Sequence, residues 1–172
     1  LINELISTDC EITVVDNLMF GGDSLLQHFR SPKFKFIKGD IRDEYCIKNI
    51  LKKHDIIIHL AAIVGFPACR RNPKLAEDVN VEATKLISKN LSNDQLVLFG
   101  STGSNYGIVD EICTEETPLK PLSLYGQTKT IAEKILLQNN TTIAYRFATA
   151  FGVSPRMRLD LLINDFVYKT KT

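Results

Sequence analysis

No apolar run in these 172 residues approaches the ~18 residues that a membrane-spanning helix needs. No Cys-x-x-Cys and no paired histidines occur. Cys10, Cys46, Cys69 and Cys113 are scattered, which speaks against a disulfide frame or a metal site and for reduced intracellular thiols. An excess of one charge is also lacking. Lys and Arg number 21 against 20 Asp and Glu, so a net charge of +1 builds no field for nucleic acid or an anionic membrane. Repeats, low-complexity tracts and flexible linkers are absent. The opening "LINELISTDC" has neither the basic start nor the small-residue cleavage site of a signal peptide, so the cytoplasm is the expected compartment.

What remains is ordinary for one globular domain: 44% apolar and 24% charged residues. Both ends look cut. The chain opens at Leu1 inside an apolar helical stripe (Leu1, Ile2, Leu5, Ile6) and closes in a second helical pattern, "LDLLINDFVYKTKT".

Five short β-branched runs recur: "EITVVD", "FKFIKGD", "DIIIHLAA", "QLVLFGS" and "TTIAYRFATA". Each reads as a parallel strand buried on both faces. Helical patterns separate most of them: "RDEYCIKNILKK", "NPKLAEDVNVEATKLISKNL" and "SLYGQTKTIAEKILLQN". The alternation predicts an α/β fold with a doubly wound parallel sheet, whose ligands bind beyond the carboxyl ends of the strands.

The strand ends therefore hold the candidates. Asp16, followed by Asn17, ends the second strand of a dinucleotide-binding fold if the glycine-rich phosphate turn lies about 20 residues upstream, before Leu1. A carboxylate there accepts from an adenosine ribose and repels a 2′-phosphate, favouring NAD over NADP; Asp-Asn is equally a turn former. Asp40 either reaches an adenine or caps the next helix, a position for which Asp43 competes. Ala61 and Ala62 admit a cofactor or a closely packed helix. His59, inside an apolar run, reads as a core histidine. Ser101, Thr102 and Ser104 cluster after the fourth of these strands, where hydroxyls serve a substrate alcohol or a turn. Tyr125 and Lys129 share a helix face at i, i+4, and no other of the five tyrosines has such a lysine. They are an idle pair or a proton-transfer pair, and the fixed order of all these signals favours the second.

The series "VVDNL", "GDIRD", "HLAA", "NVEAT", "STGSNYG", "TEETPLKPLSLYGQTK.AE" and "YRFATAFG" resembles the extended short-chain dehydrogenases/reductases, in particular their NAD-dependent nucleotide-sugar epimerase/dehydratase group. The resemblance implies a Rossmann-like fold lacking its first strand and most of its substrate domain. Residues 1–152 would form a partial NAD-binding domain and 153–172 the start of a substrate-binding region. It implies catalysis by Tyr125, Lys129 and Thr102, with Ser101 as the neighbour that alignment slippage would substitute. Asp16, Asn17, Asp40, Ile41, Leu60, Ala61, Ala62, Asn80 and Phe147 would join Tyr125 and Lys129 around NAD. Ser104, Thr149, Arg156 and Arg158 would face the substrate, near "GFPACRRNP" with Phe66, Cys69, Arg70 and Arg71. No metal is implied.

The 4,6-dehydratases of this group resemble one another in an acidic pair directly after the catalytic Thr. Gly103 and Ser104 stand there instead, which favours 4-epimerisation of a nucleotide-diphosphate sugar. A dehydratase, a keto-sugar reductase and a non-catalytic dinucleotide-binding protein are the alternatives. The resemblance also implies a homodimer through the two long helices, with Ile131, Ile135 and Leu136 as candidates. The fragment alone is expected to bind NAD poorly and to be inactive, because the phosphate-binding helix end is missing.

Overall fold

The computed structural model describes residues 1–170, so Lys171 and Thr172 of the expected final helix and substrate region lie outside the described residues. Among those residues no helix is long and apolar enough to cross a membrane. The chain forms two compact units, one of residues Leu1–Asp40 with those from Thr149 onward, the other of Ile41–Ala148.

In the first unit, helix α1 (Ile2–Ile6) leads into strand β1 (Ile12–Asp16). No residue of α1 is fully buried; Ile2, Leu5 and Ile6 of the apolar stripe are partly covered and Leu1 is exposed. A 3-10 turn (Asp23–His28) connects to β2 (Phe34–Lys38), which pairs parallel with β1, Ile12 opposite Phe34 and Asp16 opposite Lys38. The rings of His28 and Phe29 pack on Phe34, at centroid distances of 5.5 and 5.4 Å. Helix α7 is Leu162–Lys169. Asn164 on it is buried and holds the preceding loop by accepting from Gly152 N and donating to Arg158 O.

In the second unit a parallel sheet has the order β3–β4–β5: β3 is Ile56–His59, β4 Leu96–Thr102 and β5 Thr142–Phe147. Helix α2 (Glu44–Leu51) precedes β3, and Asp43 caps it by accepting from Tyr45 N and Cys46 N. Between β3 and β4 run α3 (Phe66–Arg71), α4 (Pro73–Glu77), a π turn (Asp78–Glu82) and α5 (Ala83–Asn90). Helix α6 (Leu124–Leu136) joins β4 to β5.

The five strands and their parallel sense agree with the sequence reading; their burial does not. Only β4 is buried along most of its length, because it alone has a strand on each side, whereas β5 alternates with exposed positions. Val97, Phe99, Ala132 and Leu136 form one core between β4 and α6, and each large apolar side chain so buried contributes about 1.5–3 kcal/mol. Leu136 is thus sheet-facing core, while Ile131 is exposed. The helix expected to run unbroken over 72–91 is interrupted by the π turn, which carries Asn80.

Candidate active site

The buried carboxyl end of β4 presents Ser101 and Thr102 side by side. Ser101 is spoken for: its hydroxyl donates to Glu133 Oε2 and accepts from Asn105 Nδ2 at 3.0 Å. Thr102 Oγ1 accepts from Ser104 N at 3.2 Å, and among the described residues its own proton has no acceptor. Of the two neighbours, Thr102 is the hydroxyl with a proton left to donate. Ser104 lies exposed just beyond it.

Helix α6 begins at Ser123, whose Oγ accepts from Gly126 N at 3.0 Å. Tyr125 falls in the first turn, half-buried, and packs on the cluster of Ile63, Cys69, Ala76 and Val79. Gly126 is the point of close approach. A Cβ there would sit 2.9 Å from the backbone oxygen of Ser104 and 3.1 Å from Pro121 Cβ. The missing side chain lets the turn after Thr102 lie directly on the helix that carries Tyr125.

Lys129 follows one turn on and is only 3% exposed. Its Nζ lies 4.0 Å from the centroid of the Phe99 ring. Burial pushes its pKa down to about 8, partly countered by the Glu133 carboxylate. His59 on β3 also feels that ammonium, but burial is the larger cause that lowers its pKa to about 3, so it is neutral. Thr84 Oγ1 donates to Asn80 O, so the 2.9 Å contact between His59 Nε2 and Thr84 Oγ1 makes His59 the donor. His59 is a satisfied core histidine, as its apolar setting predicts.

Asn80 ties three elements together. Its Oδ1 accepts from Ile63 N at 2.8 Å, and its Nδ2 donates to Ile63 O and to Thr128 Oγ1. Thr128 in turn donates to Tyr125 O at 2.9 Å. The segment after β3 is thereby held to the helix of Tyr125. On that segment Leu60 and Ala61 are exposed and Ala62 is partly so. Ile41 packs into the core of this unit, and Phe147 is half-exposed and stacked on Tyr145 at 5.7 Å. Cys69 is fully buried and donates to Ile63 O, out of reach of a sugar; Phe66 is exposed with Arg70 over its ring.

In the first unit, the ends of β1 and β2 bring Asp16, Asn17 and Asp40 together. Asn17 Nδ2 donates to Asp40 Oδ2 at 3.1 Å. Because Asp43 supplies the helix cap, Asp40 is released from that duty. Asp16 Oδ1 accepts from Leu18 N at 2.6 Å, the turn geometry its neighbours favour, and Leu18 adopts a left-handed φ of 61°. The Asp16 Oδ2 atom has no partner among the described residues and is exposed. Thr149 is exposed. Arg156 lies over the Phe20 ring at 5.1 Å, and the Arg158 fork is held by Asp160.

Sequence reasoning missed the Glu133–Arg146 pair. Glu133 is 1% exposed and receives Arg146 Nη2 at 2.7 Å and Nε at 3.0 Å, plus Asn105 Nδ2 at 3.0 Å. The available signal was spacing: Glu133 continues the i+4 row of Tyr125 and Lys129.

The model of the NAD dependent epimerase/dehydratase family matches residues 1–168. A UDP-glucose 4-epimerase of Lactobacillus helveticus is 34% identical over 140 residues, 78% of this chain and 41% of that protein. A dTDP-glucose 4,6-dehydratase of an Actinoplanes species is 30% identical over 169 residues, 91% of this chain and 52% of that protein. A solved UDP-N-acetylglucosamine 4-epimerase from Methanobrevibacter ruminantium M1 superposes with a TM-score of 0.84 at 25% identity, covering 99% of this chain and 57% of that one. The chain thus spans about half the length of the curated relatives it matches.

Proposed function

The chain belongs to the NAD-dependent epimerase/dehydratase family, and on that footing we propose that the whole protein epimerises a nucleotide-diphosphate sugar by transient oxidation at C4. The observation that carries epimerisation is the turn after Thr102, where Gly103 and Ser104 offer no titrating side chain for the extra acid and base of an elimination. In this reading residues 1–152 serve the cofactor and residues 153–172 begin the substrate-binding region.

An NAD cofactor fits the residues present. The near-buried Lys129 ammonium has no hydrogen-bond acceptor among the described residues, and a ribose diol would supply one. The open Oδ2 of Asp16, beside Asn17 and Asp40, suits the adenosine ribose. Leu60, Ala61, Ala62, Ile41 and Phe147 would line the cofactor, with Asn80 fixing the first of these segments. When bound, NAD supplies reversible acceptance of the hydride.

The chain's own residues supply the proton chemistry. Tyr125 takes the proton of the sugar hydroxyl and later returns it. The Lys129 charge one turn away favours the phenolate this requires, since an ordinary phenol with a pKa near ~10 is a poor base. Thr102 donates to the same sugar oxygen and orients it. Ser104, Thr149 and Arg156 are proposed substrate contacts; Arg158 would first have to exchange Asp160 for a diphosphate. A homodimer through the long helices would use Ile131 and Leu137, both about half-exposed, with the half-buried Ile135 at their margin.

The test is turnover of UDP-glucose by the whole protein. Expected are UDP-galactose, no net reduction of NAD, and a loss of roughly 10²–10⁴-fold in kcat for Tyr125→Phe. A 4-keto-6-deoxy product would establish the dehydratase reading, which the 30% identical relative favours. Stoichiometric consumption of reduced nicotinamide would establish a reductase.

A further inference from the structure

Glu133 is the most deeply buried charged side chain of the chain's second unit, at 1% exposure. Burying a carboxylate is costly, and an apolar residue of similar volume often serves stability as well or better. Yet this one is completely dressed. Oε1 receives Arg146 from β5, and Oε2 receives Ser101 from the end of β4 and Asn105 from the 3-10 turn after it. Arg146 extends the network by donating to Tyr106 Oη and Glu115 O, each at 3.1 Å, which anchors the loop that runs from β4 to α6.

The position of this network matters more than its strength. Tyr125, Lys129 and Glu133 mark successive turns of one face of α6. Ser101 is the residue before Thr102. One carboxylate therefore grips, at a single point, both the helix of the candidate base and the strand of the candidate orienting hydroxyl. We propose that Glu133 is a positioning residue, which through Ser101 and Arg146 fixes the placement of Tyr125 and Lys129 relative to Thr102. The proposal rests on the epimerase reading for its kinetic test, but not for its spectroscopic one.

Lys129 is faced by Glu133 on its own helix, by neutral His59 on β3 and by Phe99 on β4, with Tyr125 one turn before it on α6. Of these, Glu133 is the carboxylate that opposes the effect of burial. Its loss should lower the Lys129 pKa further.

The experiment compares wild type, Glu133→Gln, Ser101→Ala and the double variant in the whole protein. UDP-glucose turnover and the Lys129 titration, by NMR of its ε-methylene, are followed. Expected for Glu133→Gln is a kcat loss of about 10²-fold with substrate KM changed less than about threefold, the signature of misplacement. Ser101→Ala, which leaves the ion pair in place, should lose kcat more modestly, and the double variant should lose no more than Glu133→Gln. A folded Glu133→Gln enzyme with kcat within about twofold of wild type, or additive losses, would overturn the proposal. If Glu133→Gln does not fold, Ser101→Ala decides, and an unchanged kcat refutes. If wild type does not epimerise, the function reading fails. The proposal is then judged by the Lys129 titration, which must move to lower pH in Glu133→Gln, an unchanged titration refuting it.

Discussion

The ammonium nitrogen of Lys129 lies 4.0 Å from the centre of the Phe99 ring and makes no ion pair with Glu133, the carboxylate one turn along its own helix, which is held by Arg146 instead. A nearly buried cation over an aromatic face gains from the ring but recovers only part of its lost hydration. Lys129 is thus a costly buried charge at the candidate catalytic centre.

This cost has a sign and a pH window. Lys129 has a pKa of about 8 in the folded state against an ordinary 10.5, so between those values the unfolded chain binds more protons. Stability from this group therefore rises with pH from about 8 to 10.5, by up to about 3 kcal/mol. Lys129→Met should stabilise the protein at pH 7 by about 1–3 kcal/mol in urea denaturation, flatten the alkaline rise, and abolish turnover. A variant less stable than wild type at pH 7 would show that the ammonium is compensated in the fold.

Gly126 should not tolerate a methyl group. Alanine gains up to ~1 kcal/mol of helix propensity, but its Cβ would press on the Ser104 backbone oxygen at 2.9 Å, and backbone does not yield cheaply. Gly126→Ala is expected to lower stability by about 1–2 kcal/mol net and to reduce kcat more than KM, because the Thr102 turn is pushed off the Tyr125 helix. Thermal unfolding and steady-state kinetics check both, and a stabilised, fully active variant would contradict the close approach.

Asp16→Asn separates charge from turn geometry. An asparagine keeps an acceptor for Leu18 N, so the turn persists while the carboxylate is lost. If Asp16 holds the adenosine ribose as proposed, NAD should bind about 10-fold more weakly and the ratio of NAD to NADP affinity should fall, since a charged acceptor for the ribose and its repulsion of a 2′-phosphate vanish together. Calorimetry on the whole protein measures both affinities. An unchanged ratio would remove Asp16 from the ribose.

The legible parts of the site were those whose partners are near in sequence. Tyr125 and Lys129 are one turn apart on one helix. The resemblance pointed to Thr102, but the residues alone did not separate it from Ser101, because both hydroxyls stand at the same strand end and their difference is a bond from Ser101 to a carboxylate 32 residues away. The π turn at Asp78–Glu82 was hidden for a related reason. Its extra residue leaves the apolar period nearly intact, and Asn80 within it bonds Thr128, 48 residues on.

The sequence by itself determined the alternation of strands and helices, the parallel sense of the strands, the strand-end positions of Asp16 and Thr102 and the helix-start position of Tyr125, because β-branched runs and apolar periodicity act over a few residues. Only the tertiary structure decided which hydroxyl is free, which aspartate caps, that Cys69 is core, and that Glu133 and Arg146 meet in the interior. Those outcomes depend on which donor finds which acceptor once water is excluded, and that competition is settled by packing between elements distant in the chain.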